Sequence, residues 1–211
     1  MKKTTVALIF CLFMILTVCY YDISISDTTN IISTVNSAEV INDDFKTQSP
    51  AWKSYSGEWK FKDGELIQTG VTDYFPTILR EDHVFSDLEI SVNFKPISGN
   101  IDASGGIIFR ARNKDNYYII RANALENNYR LYTFTNGYRR QIASARVTPP
   151  DLGKFHNMRV VAKGDHIQAY LNGELKLDCH DDSYKDGYTG LWTKADSVTA
   201  FNTFKVSRLT K

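Results

Sequence analysis

Three Asx-Gly pairs, each set between short runs of alternating side chains, constrain this chain more than any other feature. In "EWKFKDGELIQ" (Glu58–Gln68), Trp59 and Phe61 alternate with charged residues, Asp63-Gly64 turns the chain, and Leu66 opens the return. "TFTNGYRRQIA" turns at Asn136-Gly137, and "KGDHIQAYLNGELKL" turns at Gly164-Asp165 and again at Asn172-Gly173. A type I′ turn needs φ > 0 at both central residues, which Asx-Gly supplies, and its twist matches that of two antiparallel strands. The chain is therefore expected to meander as antiparallel sheet.

The other runs keep the same period of two. "DLEISVNFKP" alternates Leu88, Ile90, Val92 and Phe94 with polar partners, and Pro96 is expected to end it. "GGIIFRAR" sends Ile107, Phe109 and Ala111 one way and Ile108, Arg110 and Arg112 the other. "NYYIIRANA" separates Tyr118, Ile120 and Ala122 from Tyr117, Ile119, Arg121 and Asn123; "MRVVAKG" separates Met158, Val160 and Ala162 from Arg159, Val161 and Lys163. Near the end, "GYTGLWTKADSVTAFNTFKV" opens a strand at Gly187, turns at "KADS", and breaks alternation at Phe201 and Phe204, which implies a bulge. About a dozen strands at spacings of about 8–12 residues point to a sandwich or barrel. Strands this long, with character on both faces, favour an all-β jelly roll of two stacked antiparallel sheets.

The first residues have a different design. Lys2 and Lys3 precede Val6–Tyr21, 16 residues without a charge, fewer than the roughly 20 a membrane-spanning helix needs. Residues 1–26 thus read as a secretory signal, with cleavage after Ser26 or after Ala38, residues 27–40 as a polar leader, and 41–211 as the folded domain. Secretion is the expected destination; an uncleaved anchor is the alternative, and only this segment would touch a membrane. "LTVC" at Leu16–Cys19 resembles a lipid-attachment box, but Val18 stands where a small residue is required. Only Cys179 follows the leader, so no internal disulfide forms. Without its first 26 residues the chain is formally neutral, and no run of Lys and Arg marks a nucleic-acid footprint.

Taken in order, "GEWKFKDGEL", "GGIIFRARNKDNYYIIRANALENNYRLY", "KFHNMRVVAKGDHIQAYLNGELKLD" and "GLWTKADSVTAFNTFKV" resemble the 3-keto-disaccharide hydrolase domain family over roughly residues 41–209. The resemblance implies a concanavalin A-like jelly roll, related to laminin-G-like modules, with two sheets of six or seven strands, one of them concave. It also implies a carbohydrate partner, and for some relatives cleavage of 3-keto-glycosides by elimination and hydration. Two positions depart from the family pattern: Phe155-His156, where a tryptophan commonly precedes the polar position, and Asn202, where aspartate is usual.

Chemistry is less clearly written. Retaining glycosidases of related fold align carboxylates at alternate strand positions; here Glu81 and Asp82 are adjacent and Glu89 has no partner two residues away. Elimination beside a ketone instead needs one base and a donor for the enolate oxygen. Asp196 or His156 could be the base, and Arg110, Arg121, Asn123 and Lys194 could be donors. Trp192, and secondarily Tyr117 and Tyr138, offer rings on which a sugar face can stack. Each has a structural alternative: cross-strand ion pairs for the arginines, a turn aspartate for Asp196, a core ring for Trp192. No metal set is evident: "DCHDDSYKD" (Asp178–Asp186) matches neither zinc nor EF-hand spacing, and calcium through Asp43 or Asp44 is the one structural site to test. Three functions remain open: glycan binding on the concave sheet through Arg110, Tyr117, Arg121, Asn123, Trp192 and Lys194; turnover of 3-keto-glycosides; or adhesion without a small-molecule site.

Overall fold

The computed structural model describes residues 38–72 and 74–210, with side chains from residue 41 onward. The segment read as a secretory signal, Cys11, Cys19 and the cleavage expected after Ser26 lie outside the described residues. Fifteen strands follow one another: β1 (Ala38–Asp43), β2 (Trp52–Ser56), β3 (Trp59–Lys62), β4 (Glu65–Gln68), β5 (Thr77–Phe85), β6 (Leu88–Ser98), β7 (Ser104–Asn113) and β8 (Asn116–Asn123). Then come β9 (Asn128–Thr135), β10 (Tyr138–Arg146), β11 (His156–Lys163), β12 (His166–Leu171), β13 (Glu174–His180), β14 (Gly187–Trp192) and β15 (Val198–Arg208). Strand β1 opens at Ala38, so the last three residues of the expected leader belong to the sheet.

The strands form two antiparallel sheets, the jelly-roll sandwich expected. One has eight strands in the order β13-β12-β11-β6-β15-β4-β3, with β1 pairing β15; the other has seven, β10-β9-β8-β7-β14-β5-β2. Asp63-Gly64, Asn136-Gly137 and Asn172-Gly173 all have positive φ at both residues, the type I′ geometry their composition calls for. Between the sheets lie Leu88, Ile90, Val92 and Phe94 of β6, Ile107 and Phe109 of β7, Tyr118 and Ile120 of β8, Met158 and Val160 of β11, and Phe201, Phe204 and Val206 of β15. Burying a side chain of this size contributes about 1.5–3 kcal/mol, so this layer holds the sandwich closed.

Two sequence expectations change. Pro96 does not end β6, which continues to Ser98. Strand β11 starts at His156, opposite Phe94, so beyond that point β6 has only β15 beside it, where Pro96 faces Thr199. A proline lacks the N–H for a second ladder, and here none is needed. Alternation in β7 also fails at Arg110, whose positive φ (51°) inserts a bulge. Phe109 stays between the sheets while Ala111 joins Ile108 on the outer face of the seven-stranded sheet. The bulge expected near Phe201 and Phe204 is present, with Thr203 at φ 55° and a register shift between Asn202 and Lys205.

Candidate functional site

The outer faces of the two sheets differ. On the eight-stranded sheet, Asn157, Asn93 and Asn202 stand side by side on β11, β6 and β15, linked by amide hydrogen bonds of 2.9 and 3.0 Å. Arg159 lies 3.7 Å over the Tyr170 ring and 3.3 Å from Glu89. This is a solvated, internally paired surface. Asn202, one of the two departures from the family pattern, belongs to it.

The seven-stranded sheet carries a second buried cluster on its outer face: Leu79, Ile108, Ala111, Tyr117, Ile119, Tyr132, Phe134 and Trp192, with Phe75 and Tyr188 packed against it. Strand register arranges these side chains in rows. Tyr117, Phe134 and Arg139 make one row; Ile119, Tyr132 and Gln141 the next; Thr77, Trp192, Gly106, Arg121 and Arg130 a third. The β4–β5 connection brings Phe75 over this face. Its ring stacks on Trp192 at 5.5 Å and meets Phe134 edge-on at 5.0 Å.

At the Tyr117 end the face opens into a cavity of about 300 Å³, walled by Tyr55, Tyr74, Phe75, Tyr117 and Phe134 and floored in part by Thr77. Tyr55 and Tyr74 are 43% and 73% exposed, flat rings at the rim. The Tyr55 hydroxyl is held by Glu81, which also takes Lys53 at 2.6 Å. This hydrogen bond, with burial and the Glu81 charge, pushes the Tyr55 phenol up to about 12. Tyr117 stacks on Phe134 at 4.6 Å, and burial pushes its phenol up.

Beyond the cavity the face turns polar. Arg121 is buried, its Nη2 donating to Glu126 at 2.8 Å, while Nε and Nη1 make no hydrogen bond of normal geometry. Arg130 reaches the same carboxylate at 3.8 Å. Burial pulls Glu126 upward, but hydrogen bonds from Arg121 and Asn128 and the charges of Arg121 and Arg130 outweigh it and hold the carboxyl at about 2. Tyr132, with the Arg139 guanidinium 4.5 Å from its ring, is pushed up by burial and more strongly down by Arg130, Arg121 and Arg139, so its phenol lies below the usual range.

The sequence candidates fall out unevenly. Tyr117, Arg121, Asn123 and Trp192 do lie on one face. Trp192, however, is fully buried beneath Phe75 and is not an exposed platform; the exposed rings near this face are Tyr55 and Tyr74. Arg110 is not an exposed donor: its bulge turns it inward, where it donates to the carbonyls of Ser86, Gly164 and Tyr184 at 2.8–3.2 Å and ties loops together. Lys194 pairs with the buried Asp102 at 3.0 Å. Asn123 accepts from the backbone N–H of Ala103 and Leu125, leaving Nδ2 free of a partner.

Neither expected base is placed to act. Asp196 accepts backbone N–H bonds from Asn100, Ile101 and Asp102, which keep its carboxyl below the usual range. His156 begins β11 on the other sheet, donating to the Asp151 carbonyl and accepting from Asn172. The calcium expectation also changes: Asp43 accepts from Phe45 N–H, Trp52 Nε1 and Arg80 Nη1, and Asp44 pairs with Lys46. Among the described residues no group of three or more His, Cys, Asp or Glu could hold a metal ion. The sequence reading also missed an arginine cluster. Arg121, Arg130 and Arg139 are nine residues apart in the chain and become neighbours only when β8, β9 and β10 pair.

Comparison with known proteins places this geometry in context. A family model, the 3-keto-alpha-glucoside-1,2-lyase-like domain, matches residues 37–206. Among solved structures, the carbohydrate binding module CBM66 from Bacillus subtilis aligns with a TM-score of 0.68 and 25% identity, over 74% of this chain and 95% of that one. A Bacillus subtilis protein with a galectin-like fold aligns with a TM-score of 0.66 at 14% identity, over 81% of this chain and 96% of the other, a likeness of fold alone. Levanase of Bacillus subtilis (strain 168) is 27% identical over 148 residues, 70% of this chain and 21% of the levanase. The chain thus spans about a fifth of that relative's length.

Proposed function

The chain belongs to the 3-keto-alpha-glucoside-1,2-lyase-like domain family, and from that premise we propose that it binds a glycan or glycoside on the outer face of its seven-stranded sheet. It is a carbohydrate-associated β-sandwich, similar over most of its length to a carbohydrate binding module. The observation that carries the location is the cavity of about 300 Å³ with Tyr55, Tyr74 and Phe75 at its wall. Sugars present flat C–H faces, and an exposed tyrosine offers both a stacking ring and a hydroxyl at little conformational cost. On the account of its expected leader, the domain works outside the cytoplasm.

Calorimetric titration with a panel of neutral oligosaccharides tests this reading. Tyr55→Ala and Tyr74→Ala should each weaken binding by about tenfold, the scale of losing a stacked aromatic, with the melting temperature nearly unchanged. Absence of binding to every glycan, or binding indifferent to both substitutions, overturns it.

Elimination from a 3-keto-glycoside is a second reading, favoured by the family and by the setting of one side chain. Tyr132, held below its ordinary range beside Arg121, would as phenolate take the proton next to the ketone while the guanidinium holds the enolate oxygen, and the resulting phenol would return that proton to the glycosidic oxygen as its bond to the anomeric carbon breaks. Loss of ketone absorbance on incubation with a 3-keto-disaccharide, abolished in Tyr132→Phe, is the expected result; binding without ketone loss removes this reading and leaves the first.

A further inference from the structure

Residues 121–146 contain five arginines, no lysine and one carboxylate, Glu126, in a chain whose formal charge is only +1 overall. The fold puts four of the five on one surface. Arg121 and Arg130 are register partners on β8 and β9, Arg139 faces Phe134 at one end of β10, and Arg146 faces Asn128 at the other. At about 3.3 Å per residue, Arg139 and Arg146 are roughly 20 Å apart, the reach of several sugar units. The fifth, Arg140, leaves this face to pair with Asp181 at 3.1 Å.

An arginine row alone would mark only a positive surface. The buried groups within it ask for a ligand. The Arg121 side chain is 3% exposed, and its contact with Tyr132 falls short of hydrogen-bond geometry, so Nε and Nη1 are donors without acceptors. Asn123 Nδ2 is a third such donor, and Asn128 Oδ1 is an acceptor without a donor. A buried polar group left unpaired is destabilising, and a guanidinium is best matched by a carboxylate. We propose that the strip Arg121–Arg130–Arg139–Arg146 binds an acidic glycan, one whose sugar carboxylates meet the arginines while its hydroxyls meet Asn123 and Asn128. This rests on the reading that the same face binds glycan, and it names the chemical class. A phosphodiester chain of DNA fits less well, because it has no hydroxyl along its backbone to donate to Asn128.

The test compares an oligogalacturonate, a neutral oligogalactan of equal length and a single-stranded oligodeoxynucleotide by calorimetry, at low and at physiological salt. The oligogalacturonate should bind about tenfold more tightly than the galactan at low salt, the gain expected of one or two charge-assisted contacts, and the advantage should shrink as salt rises. Arg130→Gln with Arg146→Gln, both at partly or fully exposed positions and therefore expected to fold, should bring the acidic-to-neutral ratio close to one. Equal binding of the two glycans overturns the inference and leaves the glycan reading intact. DNA binding as tight as oligogalacturonate binding also overturns it, by showing charge without sugar recognition. Failure of both glycans overturns this inference, while the glycan reading falls only if the wider panel of oligosaccharides fails as well.

Discussion

Arg121 is the residue on which the polar half of the site depends, because Glu126 is its one fully formed ion-pair partner. Glu126→Gln would leave a buried guanidinium without a counter-charge. Breaking a buried pair costs about 3–5 kcal/mol, and the one-third exposure of Glu126 reduces this to about 1–3 kcal/mol. Its pH dependence has a defined sign. The folded carboxyl sits at about 2 against an ordinary 4.5, so the unfolded chain binds the proton first. The contribution is whole above about pH 4.5 and disappears as pH falls toward 2. Chemical denaturation from pH 7 to pH 2.5 should show the wild-type acid limb flattened in Glu126→Gln. Trp192 shows why a single sequence position could not be assigned. Whether its ring is an exposed platform or a core ring depends on Phe75, about 117 residues earlier, which covers it. Trp192→Ala should therefore act on folding, losing about 3–5 kcal/mol, with a melting temperature well below that of Tyr74→Ala.

Among the elements, what the chain encodes locally was readable and what it encodes by pairing was not. Asp63-Gly64, Asn136-Gly137 and Asn172-Gly173 specify their hairpins within a few residues, so each appears where expected. Pro96 was misread because its tolerance depends on where β11 begins, a fact of a distant segment. The bulge at Arg110, which moved Ala111 to the other face, has no local turn signature to betray it. The arginine cluster escaped for the same reason, since neighbours on three strands are nine residues apart in sequence. Gly106 gives this level its own prediction. It lies between Trp192 and Arg121 in the third row, and a Cβ there would stand 2.6 Å from Ile119 Cδ1 and 2.7 Å from the Ile120 carbonyl. The isoleucine can rotate away, but the carbonyl belongs to the β7–β8 ladder and cannot. Gly106→Ala should destabilise by about 1–3 kcal/mol, the usual cost of overpacking, measured as a lower denaturation midpoint with an unchanged slope.

At the scale of the whole molecule, the sandwich has two outward faces built to different ends. The fold class was legible because period-two alternation and turn chemistry agree along the chain; which face would carry the proposed site was not, because alternation assigns sides without saying what covers them. The eight-stranded sheet satisfies its own surface, through the asparagine ladder and the Arg159–Tyr170 contact. The seven-stranded sheet leaves buried donors unmatched and a cavity open beside them. This asymmetry can be tested with whichever glycan of the panel binds. Asn202→Asp places a charge in the ladder at a position half-exposed to water, and His156→Ala removes the imidazole that begins β11. Both changes fall across the sandwich from the cavity, so glycan affinity in either variant should remain within about twofold of wild type, the scatter expected for distant, independent sites. Tyr74→Ala, measured beside them, should lose about tenfold. Were Asn202→Asp or His156→Ala to abolish binding while Tyr74→Ala did not, the ligand would lie on the eight-stranded sheet and the assignment of faces would be reversed.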